Sequence, residues 1–179
     1  MTSNGARADR RSTARQSEIQ GRQKRDISLA ARTDACILLT GSANPAQDLA
    51  YRVHLASGWR HGAFTVIDCG SADPALESHL LDALFSTDHH HRPSGVLQLR
   101  LVQAGTVLLR EINKLPLPIQ RRLATRLSDL WASSGPCRSR RRVMASSSEP
   151  LLDRVLGGTF DDSLYYRLNV MHLFVQGVD

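Results

Sequence analysis

Cysteine is scarce in this sequence and poorly placed for a framework. Cys36, Cys69 and Cys137 are an odd set with no CxxC spacing, which excludes a disulfide scaffold and a cysteine zinc site. Cys36 and Cys69 fall in or beside apolar runs and read as small buried hydrophobes. Long apolar runs are absent too: none approaches the ~20 residues that cross a bilayer. The N-terminal stretch MTSNGARADRRSTARQSEIQGRQKRD holds no apolar segment to serve as a secretion signal. The expectation is therefore no membrane partner and a cytoplasmic location. His89, His90 and His91 in the polar loop STDHHHRPSG are sequence neighbours, which do not converge on one ion as ligands at i and i+4 do. No metal is expected, and no internal repeat is found.

What is there suits one globular domain with a basic head: 179 residues, 41% hydrophobic and 22% charged. The net charge of +6 is unevenly placed, because residues 1–32 hold eight Lys/Arg against three Asp/Glu. That leaves +1 for the other 147 residues. A stretch so polar, without hydrophobic period, is expected to be disordered or weakly helical over 1–33, with the folded domain at 34–179. A second basic cluster, CRSRRR at 137–142, follows Gly135-Pro136 and reads as an exposed loop entering a strand. Residues 1–32 and 138–142 are candidates for weak, nonspecific phosphate contacts with nucleic acid.

From residue 35 onward short apolar runs alternate with amphipathic ones, the pattern of a parallel sheet covered by helices. Strands are expected at 36–40, 63–69, 106–110, 142–146 and 170–175. Helices are expected at 45–57, at 74–85 after an Asp73 cap with Pro74 in the first position, and at 118–133. In the last of these Trp131 reads as core. Residues 149–168 give one or two short helices broken at Gly157-Gly158.

Several stretches in fixed order resemble the AAA+ ATPase domain of the bacterial sigma-54-dependent transcription activators. They are LTGSANPAQD (39–48), AYRVHLASGWRHGAFTVIDC (50–69), LESHLLD (76–82), GTVLLREINKLPLPIQRRLATRL (105–127), RVMASS (142–147) and GTFDDSLYYRLNV (158–170). The resemblance covers residues 35–175, and SLYYRLNV and GTVLLREI are its most specific parts. It implies an α/β fold, a P-loop NTPase-like three-layer sandwich with a five-stranded, mostly parallel sheet. It also implies ATP and magnesium as the family's cofactors, and sigma-54 polymerase and neighbouring AAA+ subunits as its partners.

Measured against the family's motifs, this chain departs where the chemistry lies. A phosphate loop needs glycines that turn backbone N–H groups inward, a lysine, and a helix N-terminus. Gly41 is present, but Asn44 and Ala46 replace the later glycines, Pro45 has no N–H, Gln47 replaces the lysine and Asp48 follows it. Where the family has an Asp for magnesium, this chain has Arg110, which cannot ligate a metal; the neighbouring Glu111, which the family uses to polarise water, is kept. Ser146 and Ser147 stand at the sensor position. Of the two arginines the family offers to a neighbouring subunit, the first is Asp161 and the second is kept as Arg167, whose plainer reading is capping or ion-pair duty. The family's sigma-54-contacting GAFTGA loop has no counterpart between Asp82 and Gly105. The sequence ends at Asp179, ahead of the family's helical lid and DNA reader, so a lidless domain is the expectation.

These departures set the functional expectation. Gly41, Asn44, Ala46, Gln47 and Asp48 form a vestigial loop facing Arg110, with Asp48 and Arg110 expected to pair across the vacated magnesium position. Glu111 and Arg167 are vestigial, and no cofactor is expected to bind. The domain would act in transcription regulation by protein contact, joining or capping a ring of homologous AAA+ subunits or touching sigma-54 polymerase. Two alternatives stand beside it: a residual ATPase in which Arg110 contacts phosphate and Glu111 positions water, and a nucleic-acid-binding module using the basic head.

Overall fold

The computed structural model describes residues 19–85, 105–132 and 141–175. Five parallel strands, β1 (Ile37–Thr40), β2 (Ala63–Asp68), β3 (Gly105–Arg110), β4 (Arg141–Ser147) and β5 (Met171–Phe174), form one sheet in the order β2-β3-β4-β1-β5. Strands buried on both faces read as continuous apolar runs, which is why ILLT and TVLL appear so plainly in the sequence. The helices are α1 (residues 19–31), α2 (Ala43–Ala56), α3 (Leu76–Phe85), α4 (Leu117–Ala132), α5 (Leu151–Leu156) and α6 (Asp162–Leu168). A 3-10 turn at Ile112–Lys114 leads from β3 into α4. No described helix is long and apolar enough to cross a membrane.

The period of two along each strand divides the core into two layers. Ile37, Leu39, Leu108, Met144 and Leu173 meet Ala46, Leu49 and Val53 of α2 with Ile27 and Ala30 of α1. Leu38, Val107, Leu109, Val143 and Ala145 meet Leu80 and Leu84 of α3, Leu123 and Leu127 of α4, and Leu164 and Leu168 of α6. The helix break expected at Gly157-Gly158 is there, with Gly158 at φ 68. Asp161 caps α6, its Oδ1 accepting from the Leu164 N–H at 2.9 Å.

Two expectations for basic segments are corrected. Residues 19–31 are not part of a loose tail: they form a helix whose Ile27 is 9% exposed and whose Ala30 is fully buried. The pattern is faint because Ile27 and Ala30 are the buried apolar residues of an otherwise polar stretch, which is also tied to α2 by the bond from Arg52 Nη1 to Gln23 Oε1 at 3.1 Å. Arg141, expected in the loop, already belongs to β4, and Arg142, expected to open that strand from an exposed loop, is buried in it. Arg142 points inward with Met144, is 1% exposed, and donates through Nη2 to the Ala30 carbonyl near the end of α1. Arg141 points to the other layer and donates to the carbonyls of Asp82 and Ala83 on α3. Residues 1–18, the histidine loop at 86–95, residues 138–140 and the Trp131 side chain lie outside what is described.

A second buried polar group sits under α2. His54 is 2% exposed and its Nδ1 lies 2.9 Å from the Thr106 hydroxyl. Burial, and then the nearby Arg142 guanidinium, hold its pKa below the ordinary imidazole value. The sign follows: the folded state keeps His54 neutral while the unfolded chain takes up the proton, so this contribution is whole above the unfolded imidazole pKa and is lost as pH falls below it. Urea unfolding between pH 7.5 and 5 should show stability falling with pH, and His54→Gln should flatten part of that slope. Ile27→Ala should lower unfolding free energy by about 2 kcal/mol; a detached N-terminal segment would leave it unchanged.

Candidate functional site

In a parallel sheet with helices on both faces, ligands bind beyond the carboxyl ends of the strands where connections part to opposite sides. Here that place is the end of β1, flanked by β4 and β5, with β3 one strand further on beyond β4. The Gly41 N–H donates to the Ser147 carbonyl at 3.0 Å and the Val175 N–H donates to the Thr40 carbonyl at 2.9 Å. Gly41 adopts φ 149, and a Cβ there would lie 2.6 Å from the Val175 carbonyl oxygen. Glycine is required by this contact alone, whether or not an anion binds.

The loop expected after Gly41 is largely absent. Ser42 is the N-cap, without a side-chain cap bond, and α2 begins at Ala43. The first intrahelical bond runs from the Ala46 N–H to the Ser42 carbonyl at 3.0 Å. Pro45 sits in the first turn, where an N–H has no helical acceptor in any case. Asn44 is therefore an exposed first-turn residue, Ala46 is fully buried beneath the helix, and Gln47 is half-buried. Asp48, expected at the helix start, is the sixth helical residue and is exposed.

The expected Asp48–Arg110 pair is not formed; among the described residues Asp48 has no ion pair. Arg110 is instead the in-register neighbour of Asp68 on β2, with Nη1 3.9 Å from Oδ2. Adjacent strands decide this, since cross-strand neighbours stand about 5 Å apart at Cβ. Neither Asp68 nor its role was anticipated, although aligning AFTVID beside GTVLLR gives the register.

Glu111 is the one described non-glycine residue with positive φ, at φ 56 and ψ 49, a conformation that costs about 1 kcal/mol or more. It is 4% exposed. Its N–H faces the Ser146 hydroxyl at 3.4 Å. Oε2 accepts from the Ser148 hydroxyl at 2.9 Å and pairs with Lys114 Nζ at 3.2 Å. Arg110 Nε, Glu111 Oε1 and Asn113 Oδ1 are buried with no protein partner among the described residues. Ser147 closes its own turn, its hydroxyl donating to the Glu149 carbonyl at 2.6 Å. Arg167 is some way off in the chain's internal bonding: Nε donates to the Ser128 hydroxyl at 2.8 Å and Nη1 to the Ser163 carbonyl at 3.2 Å, tying α6 to α4.

This arrangement does not fit a magnesium triphosphate. The Ala46 amide is committed to the helix, Pro45 offers none, no lysine stands at position 47, and a guanidinium occupies the metal-ligand position beside Asp68. No group of three or more His, Cys, Asp or Glu among the described residues is placed to hold a metal ion.

A family profile described as the sigma-54 interaction domain matches residues 13–174. The sigma-54-dependent transcriptional activator SfnR of Pseudomonas putida is 31% identical over 153 residues, which is 80% of this chain and 41% of that protein. The pathogenicity locus probable regulatory protein HrpS of Pseudomonas savastanoi pv. phaseolicola is 33% identical over 143 residues, 76% of this chain and 47% of that protein. The chain thus spans less than half the length of these curated relatives. The P-loop NTPase domain of a sigma-54 transport activator from E. coli shares the fold, with a TM-score of 0.63 at 17% identity over 88% of this chain and 96% of that one. NtrX from Brucella abortus superposes with a TM-score of 0.69 at 20% identity, over 89% of this chain and 37% of that one. The sheet order and the helices on both faces are those of a P-loop NTPase.

Gly41→Ala should cost at least about 2 kcal/mol, since it meets both the Val175 backbone and an unfavourable φ. Chemical denaturation would measure it without any ligand present.

Proposed function

Because the chain belongs to the family of sigma-54 interaction domains, we propose that it serves transcription regulation as a noncatalytic domain that works by protein contact. Its partners on this reading are sigma-54 polymerase or catalytically competent subunits of its own family, and it binds no nucleotide as part of its action. One observation carries the proposal: α2 begins at Ala43, two residues after Gly41, so the backbone that would wrap a phosphate is already helix. Side-chain losses at positions 47 and 110 act in the same direction. Removing one preorganised charge or donor costs about 3 kcal/mol or more of transition-state stabilisation.

The family-like surface that remains suits contact. The α4 and α6 helices are locked together by Arg167, and Tyr166 and Val170 stay 69% and 62% exposed beside them. Those side chains are available to a protein partner without disturbing the core.

Titration calorimetry with millimolar magnesium ATP, together with a phosphate-release assay, tests the proposal. The expected result is no saturable heat and no turnover above buffer. Restoring the side chains alone, with Gln47→Lys and Arg110→Asp, should leave turnover absent because the first turn of α2 is unchanged. Micromolar binding with hydrolysis by the unaltered chain would overturn the proposal. Its contact half is tested by adding the chain in tenfold excess to an active relative and to sigma-54 polymerase: unchanged hydrolysis and no co-migration with either would end it.

A further inference from the structure

Helix α1 turns a cationic face away from the sheet. Ile27 and Ala30 are buried beneath it, while Arg22, Lys24, Arg25 and Arg32 are exposed. At about 100° per residue, Arg25 lies opposite the buried pair and Arg22 precedes it by about one turn, while Arg32 follows in the turn just past the end of the helix. None of the four side chains has an ion pair or hydrogen bond among the described residues. We propose that this face docks on the phosphate backbone of duplex DNA, a role beyond the protein contact inferred above and independent of it.

Three physical features single out that partner. The helix from Arg22 to its end at residue 31 rises about 14 Å, with Arg32 in the turn that follows, and duplex DNA carries a phosphate charge per about 1.7 Å of its axis, so several phosphates lie within reach of this face. It is held in place, because Ile27 and Ala30 belong to the core and Arg142 donates to the Ala30 carbonyl. Little ordering is then lost on binding. An anionic bilayer is a poorer match, since a surface helix must insert its apolar face and that of α1 is already buried, leaving only Leu29 exposed. Unpaired strands are a poorer match as well, because residues 19–32 contain no aromatic ring on which bases stack.

The test uses the whole chain, a fluorescent 20-base-pair duplex of arbitrary sequence and anisotropy over a range of salt. Each phosphate contact contributes about −0.9 to the slope of log affinity against log salt. Arg25→Gln with Arg32→Gln should make that slope shallower by about 1.8 and weaken binding more than tenfold at 0.1 M salt. Arg121→Gln with Arg126→Gln removes the same charge from α4 on the opposite layer and should change affinity less than twofold. All four side chains are exposed, and matching urea midpoints would confirm intact folding. If the first pair fails to fold, Arg22→Gln with Lys24→Gln takes its place with the same expected slope change. Equal losses from both helices would overturn the proposal, as would an unaltered chain without salt-dependent binding. So would tighter binding to phosphatidylserine vesicles than to DNA, or loss of all binding on removing residues 1–18 while the α1 pair is silent.

Discussion

The site depends on how closely β1 ends against β5. The backbone of Gly41 lies against Val175, and no side chain fits between them. That contact fixes where the chain turns and holds the end of β1 level with β4 through the Gly41 to Ser147 bond. It also separates two roles that one glycine can serve. A glycine at the head of a phosphate loop admits the ligand's approach; here the approaching group is the protein's own strand. The turn can survive without phosphate because its reason for existing is internal.

Once the turn is fixed, the next residues choose between an open loop and a helix. An open loop leaves its amides unpaired unless an anion satisfies them, whereas a helix satisfies them within the chain. Ala46, a strong helix former, stands where a permissive glycine would favour the loop, and it buries its methyl in the core. Pro45 falls in the only part of a helix that tolerates it. The replacements therefore agree with one another: each favours the helix over an open loop. At the neighbouring strand ends the charges are likewise matched internally. Arg110 has Asp68 beside it, and Glu111 has Lys114 and Ser148.

The sequence revealed the central strands best because β1, β3 and β4 are covered on both faces, so their apolar runs needed no interpretation beyond their length. The bounds of α4 were also legible, from the leucine spacing, whereas the cap that Asp161 provides to α6 was not read from the sequence. What was illegible has particular physical causes. The start of α2 was hidden because proline and a loop-like family pattern both suggested that the helix began later. The partner of Arg110 was hidden because pairing depends on strand register, which no single segment contains. Arg142 was hidden in a run of arginines that reads as solvated. Only the alternation along β4, with Met144 and Ser146 on the same side, turns it inward.

Arg142 also explains why α1 belongs to the domain. A guanidinium 1% exposed, with Nε and Nη1 lacking protein partners among the described residues, is costly in a core. Its position lowers the cost: Nη2 meets a carbonyl in the last turn of α1, where unsatisfied carbonyls carry partial negative charge. Asp34, held at 2.8 Å by the Trp59 indole N–H, adds an attractive charge nearby. Removing α1 would strand the guanidinium without the acceptor it has among the described residues, so burial of the charge and docking of the helix are stable only together. The coupling sits at the amino-terminal ends of the strands, whereas Gly41, Arg110 and Glu111 sit at their carboxyl ends. The residues that shape the turn at one end of the sheet therefore take no part in holding the basic helix at the other.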